Sequence, residues 1–286
     1  MASGSVPADV PLKIDVPLKN GGFGQTRRKD NWWVEPLVVF LAYAGFIVYA
    51  NWALFQAKAY HFVGGGADYL SPMYSPLLTQ EGPVSASGLT TDPGPAPSFW
   101  PSFVPFSPAM LILIFPLAFR FTCYYYRGAY YKAFWGDPPS CSVGEPRNKY
   151  LGERYFPLIL QNVHRYALYF AILFIVILAF DAWKSLWFKG SDGSSHFGIG
   201  VGSLVLILNP ILLSLYTFGC HSFRHLIGGR KDVLSTSPAR KSCYDCVSAL
   251  NKRHMIWAWI SMFYVAFVDL YIRMCSMGIW TDWRIL

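Results

Sequence analysis

The chain has 286 residues, of which 53% are hydrophobic, 18% aromatic and only 14% charged, with a formal net charge of +8. A soluble domain carries about 25% charged residues, so this surface holds too little charge for water alone. The positive residues fall between apolar segments and form no continuous patch, which excludes nucleic acid as a partner and points to a membrane.

Residues 1–30 form a polar segment with the run Arg27-Arg28-Lys29 and no apolar core, so they do not read as a cleavable signal peptide. Five apolar stretches follow, at 33–54, 108–126, 156–180, 199–219 and 255–274. Each is about the 20 residues needed to cross the hydrocarbon. Together they predict an all-α integral membrane bundle of five transmembrane helices, occupying one anchor domain over 31–286. The loop from about 57 to 107 is rich in Pro, Gly, Ser and aromatic residues, which suggests a cap packed over the bundle. Trp32, Trp33, Trp52, Trp183, Trp187 and Trp280 mark the interfaces.

Orientation follows from Lys and Arg. The first, third and fifth polar segments hold the groups Lys13/Lys19/Arg27/Arg28/Lys29, Arg127/Lys132/Arg147/Lys149/Arg154 and Arg230/Lys231/Arg240/Lys241/Lys252/Arg253. The second holds Lys58 and the fourth Lys184 and Lys189. The N-terminus is therefore expected in the cytoplasm and the C-terminus outside, in a multi-pass protein of the cell inner (cytoplasmic) membrane. The spans show no internal repeat or inverted symmetry, which weighs against a transporter using Arg120, Asp181 and Asp269.

The inner end collects five of the six cysteines (Cys123, Cys141, Cys220, Cys243, Cys246) and four of the six histidines (His164, His221, His225, His254). Cys243-Tyr244-Asp245-Cys246, in the last inner loop, has a ligand spacing that suits zinc, an iron–sulfur cluster or a redox dithiol, and equally two reduced thiols. His221 and His225, at the end of the fourth helix, are four apart and share a face. They suit a shared metal, a haem ligand pair with the third helix, or interhelical hydrogen bonds. Cys123 or Cys220 alone reads as small apolar packing. A Rieske-type centre needs two Cys on one iron and two His on the other, and this set supplies both kinds. Ser140, Ser142 and the nearby tyrosines are possible donors to cluster sulfurs. Residue types alone leave the quartet open. Arg120, Arg165 and Arg224 suit a quinone carbonyl or a haem propionate, with Arg165 expected about ten residues inside the third helix. Trp257, Trp259 and Tyr166 could flank a flat ring. Asp181 and Asp269, near the other end, read as interfacial or interhelical hydrogen-bonding groups.

Gln161-Asn162-Val163-His164-Arg165, followed after one outer loop by Phe223-Arg224-His225-Leu226, resembles the membrane cytochrome subunit of succinate dehydrogenase. The members of that family carry Ser-x-x-His-Arg and Ile-Arg-His-Leu at these places. Thr122-Cys123-Tyr124-Tyr125-Tyr126-Arg127, Gly219-Cys220-His221-Ser222 and Leu250-Asn251-Lys252-Arg253-His254 are similar to the five-helix anchor of the actinobacterial-type enzyme. The similarity covers most of the chain from about residue 30. It implies a membrane anchor (cytochrome b-like) subunit of succinate:quinone oxidoreductase, also called succinate dehydrogenase, fumarate reductase or respiratory complex II. The implied partners are a flavoprotein subunit with FAD, an iron–sulfur subunit with further clusters, the lipid bilayer and a quinone (menaquinone or ubiquinone). The resemblance also leaves a place for a small additional membrane subunit. No residue here is expected to touch succinate.

Two departures matter. Phe218 stands where the ordinary cytochrome anchor has a haem-ligating His, and Gln161 replaces the quinone-contacting Ser. The actinobacterial-type anchor holds a membrane-embedded Rieske-type [2Fe–2S] cluster in at least one branch. The resemblance ranks Cys123, Cys141, His221 and His225 as its ligands, ahead of Cys220, Cys243, Cys246, His164 and His254. It places the quinone near Gln161, His164, Arg165, Arg224 and Trp257. The alternatives are a b-haem anchor, with His164 and His221 or His225 as axial ligands, and an anchor without any cofactor.

Overall fold

A computed structural model describes residues 22, 24–78, 96–129, 139–144, 154–156, 158–229 and 231–286. Most of the 1–30 segment, part of the 57–107 loop, and Lys13, Lys19, Lys132, Arg147, Lys149 and Arg230 of the charge groups lie outside the described residues.

The described elements are helical, with two short hairpins. In chain order they are α1 (Val34–Gln56), β1 (His61–Gly64), β2 (Ala67–Leu70), α2 (Pro108–Phe121), a 3-10 helix (Tyr124–Ala129), α3 (Leu160–Lys184), β3 (Trp187–Lys189), β4 (Ser195–Phe197), α4 (Val201–Phe218), α5 (His221–Gly228), α6 (Pro238–Asn251) and α7 (His254–Ser276). Four helices, α1, α3, α4 and α7, are long and apolar enough to cross a membrane. Their outward faces are themselves apolar: Val48, Leu173, Val176, Phe180, Ile211 and Phe263 are all exposed. Water would penalise such a surface and lipid does not. The chain is a multi-pass helical membrane protein.

The second apolar stretch differs from expectation. It predicts a helix to 126, but α2 ends at Phe121 after 14 residues, about 21 Å of rise. Thr122 stops it: its hydroxyl bonds back to the Ala118 carbonyl at 2.7 Å, and the chain tightens into the 3-10 helix. The fourth stretch also breaks early. α4 stops at Phe218, and His221 and His225 belong to a separate eight-residue helix. The Cys243/Cys246 segment, expected as a loop, is the helix α6.

α4 packs against α3 and α7, α2 against α3, and α1 against the 3-10 helix and α7. At one end of the bundle, β1–β2 and β3–β4 form two antiparallel hairpins. Gly66 joins them, its carbonyl accepting from Lys189 N–H at 2.8 Å. A Cβ there would meet the Lys189 carbonyl at 2.6 Å, on a backbone with φ +84°, so only glycine permits this approach.

Beneath the hairpins lies a polar lock. Arg273 pairs with Asp269 at 2.7 Å, both almost fully buried. Asp269 also accepts from Tyr49 at 2.7 Å and from Ser71. Arg273 donates to the carbonyls of Ala53 (2.9 Å) and Lys58 (2.8 Å), and Tyr74 donates to those of Ala53 and Leu54. Two of the last four carbonyls of α1, which a helix leaves without partners, are thereby satisfied. Asp181 accepts from Ser75 of the same cap.

Candidate functional site

At the opposite end, four breaks between helices converge. Cys123 follows α2, His164 lies in the second turn of α3, Cys220 links α4 to α5, and His254 opens α7. All four side chains are buried. His164 Nε2 lies 3.0 Å from Cys220 Sγ, and His254 Nε2 lies 3.9 Å from Cys123 Sγ. Phe119, which stacks on His164, meets edge to face at 5.4 Å the Tyr216 ring that stacks on His254. The four therefore make one group of two Cys–His pairs. Among the described residues, no three His, Cys, Asp or Glu side chains converge as a single-ion site would require.

Local chemistry builds each position. Gly219 caps α4, and a Cβ there would meet the Leu215 carbonyl at 2.7 Å and His254 Nδ1 at 3.3 Å. Only a residue without a side chain lets α7 start so close to the end of α4. Cys220 is the N-cap of α5, its sulfur accepting from Ser222 N–H at 3.4 Å. The helix N-terminus favours negative charge there. The Thr122 hydroxyl donates to Ala118, so toward His164 Nδ1, 3.1 Å away, it acts as acceptor. That fixes the proton on Nδ1 and leaves the Nε2 lone pair facing the quartet. His254 Nδ1 is buried with no hydrogen-bond partner among the described residues. Phe119 stacks on His164 at 4.2 Å between centroids, and Tyr216 on His254 at 5.0 Å. Both imidazoles are held flat between apolar walls.

The other candidate residues lie elsewhere. Cys141 is exposed on a turn strapped to the N-terminal segment, where Arg28 donates to Ser140 Oγ (2.8 Å) and the Cys141 carbonyl (3.0 Å). Pro138 of that loop lies outside the described residues. His221 and His225 are exposed, with their Nε2 atoms 3.0 Å apart. Burial, with the charges of His225 and Arg224, pushes His221 below its ordinary value. Cys243 and Cys246 are exposed on α6. Arg165 is six residues into α3 rather than ten, exposed, and bonded to the Tyr166 hydroxyl at 3.1 Å. Gln161 is partly buried in the first turn of α3. Arg224 lies over the Tyr244 ring at 4.8 Å. Its Nε and the Trp257 Nε1 are buried donors without acceptors among the described residues.

Arg120, expected close to or inside the inner interface, is buried at this end of the bundle, at the end of α2. An apolar cavity adjoins it, walled by Phe119, Tyr216, Thr217, Leu113 and Ala171.

A family model described as "Actinobacterial succinate dehydrogenase subunit SdhC" matches residues 34–278. A chain of the solved structure "Mycobacterium smegmatis Sdh1 complex in the apo form" is 39% identical. The alignment covers 97% of this chain and 98% of that one, with a TM-score of 0.78. No curated protein matches. With the family model spanning most of its length and the fold shared end to end, the chain belongs to the actinobacterial succinate dehydrogenase membrane subunit family.

Proposed function

We propose that this membrane subunit anchors a succinate dehydrogenase complex and passes electrons to a quinone through a Rieske-type [2Fe–2S] cluster. The ligands we assign are Cys123, Cys220, His164 and His254. One observation carries this reading: two thiols and two imidazoles from four helix ends are gathered, buried, at one junction. That is the ligand count of a Rieske centre. The assignment keeps Cys123 from the sequence ranking and replaces Cys141, His221 and His225, whose exposed positions give a buried cluster no hold.

When bound, such a cluster takes up and releases one electron at a time, at a potential raised by its imidazole ligands. The protein supplies the rest. Thr122 orients His164, the Cys220 sulfur sits at a helix N-terminus, and Phe119 and Tyr216 exclude water from the two imidazoles. Arg224 Nε and Trp257 Nε1 are the spare buried donors we assign to the quinone carbonyls. Five crossings are proposed, with α2 and the 3-10 helix together forming the second. The N-terminus and the quartet end then face the cytoplasm, where the basic segments dock the iron–sulfur subunit, itself joined to the flavoprotein.

Iron analysis and electron paramagnetic resonance on the purified complex test the reading. The wild type should show iron and a mixed Cys/His cluster signal, lost in Cys220→Ala and His254→Ala and kept in Cys141→Ala and Cys243→Ala. A b-haem difference spectrum without that signal would sink it.

A further inference from the structure

Arg120 lies in the last turn of α2 with only 5% of its surface exposed. Its guanidinium donates to the Tyr126 hydroxyl at 2.6 Å, the Ala258 carbonyl at 3.2 Å and the Ser261 hydroxyl at 3.1 Å. It also lies over the Tyr216 ring, 4.9 Å from the centroid. All of these partners are neutral. Among the described residues Arg120 has no carboxylate, whereas the other deeply buried arginine, Arg273, is paired with Asp269. Arginine stays protonated, and a buried cation without an anion is unfavourable in an apolar medium. A structure that holds this cation with three hydrogen bonds has fixed it facing something.

Aromatic rings connect it to the quartet. Tyr216, under the guanidinium, stacks on His254, and Phe119, the preceding residue, stacks on His164. Cys123 follows three residues on, just past the end of α2. Two thiolates and two neutral imidazoles around a [2Fe–2S] core carry no net charge when both irons are ferric, and one negative charge after one electron is added. We propose that Arg120 is a positioning residue that stabilises this added electron and so raises the midpoint potential of the site. The inference rests on the cofactor proposed above. The electron arrives from a one-electron iron–sulfur donor of the complex and leaves to the quinone, so Arg120 exchanges no proton and no bond.

The test is a redox titration of the intact complex, followed by electron paramagnetic resonance. Arg120→Gln removes the charge and should lower the reduced-to-oxidised ratio at fixed ambient potential about tenfold, equivalent to 59 mV for a one-electron couple. Arg120→Lys keeps the charge and should titrate close to wild type. Ser261→Asp leaves Arg120 in place but gives it a carboxylate, and should lower the potential in the same direction. If Arg120→Gln assembles no cluster, Ser261→Asp decides. Wild-type potentials in both charge-altering variants would overturn the inference, as would an equal fall in Arg120→Lys. A wild-type complex with no cluster signal would instead overturn the cofactor reading itself.

Discussion

The two ends of the bundle treat buried polarity in opposite ways. At the cap end, Asp269 and Arg273 complete one another, and the Tyr49 and Ser71 hydroxyls with the Ala53 and Lys58 carbonyls take up much of what remains. At the quartet end, among the described residues, a buried arginine meets only neutral oxygens, and His254 Nδ1, Arg224 Nε and Trp257 Nε1 have no partner. Both ends belong to one chain in one apolar setting, so the contrast is not a matter of solvent. A closed network fixes architecture, while spare donors and an unbalanced charge leave capacity for a ligand or an electron.

The largest effect that would break this comparison is at the cap. Arg273→Ala strands the Asp269 carboxylate and should destabilise the subunit by about 3–5 kcal/mol. Thermal unfolding of the complex in detergent measures it, and a loss well under ~1 kcal/mol would mean the lock holds nothing. At the other end, Gly219→Ala forces a methyl against the Leu215 carbonyl and His254. It should cost about 1–3 kcal/mol and lower the bound iron, whereas an unchanged iron content would detach Gly219 from the site.

A smaller effect concerns the hairpin over the cap. His61 Nε2 lies 2.6 Å from Asp68 Oδ1, and this bond holds the Asp68 carboxyl below its ordinary value of 3.8. A depressed carboxyl contributes stability above the unfolded value and loses it as pH falls from there through the folded value. Stability of the wild type should therefore fall more steeply than that of Asp68→Asn below about pH 4. Parallel curves would remove the clasp from the account. Smallest of all, Cys243→Ser and Cys246→Ser change exposed groups and should stay within about 0.5 kcal/mol of wild type, with iron unchanged.

Hydropathy made the spans legible because the requirement is only length and apolarity, and α1, α3, α4 and α7 follow it. It could not show the breaks at Thr122 and Gly219, since apolar residues continue on both sides of each. All four quartet residues were named among the inner-end candidates, but only Cys123 stood in the first rank. Cys243/Cys246 and His221/His225 attract notice through local spacing, yet each pair sits on the exposed side of one helix. Cys123, His164, Cys220 and His254 have no shared spacing, and only convergence of four helix ends joins them. A signal did exist: Thr122-Cys123, Gly219-Cys220 and Arg253-His254 each place a ligand type beside a helix boundary. Arg273 was also within reach, lying four residues after Asp269 on the same span, the spacing of a helical ion pair.

The pairing of thiol with imidazole in each half of the quartet bears on the order of events in biogenesis. Polar side chains in an apolar interior are costly while they lack partners, and two of these four, His164 and Cys220, have side-chain contacts shorter than 3.5 Å within the chain. The bundle can then close in the bilayer on its own hydrogen bonds. Insertion and loading of the proposed cluster would then be separable steps, with the second free to wait for the other subunits.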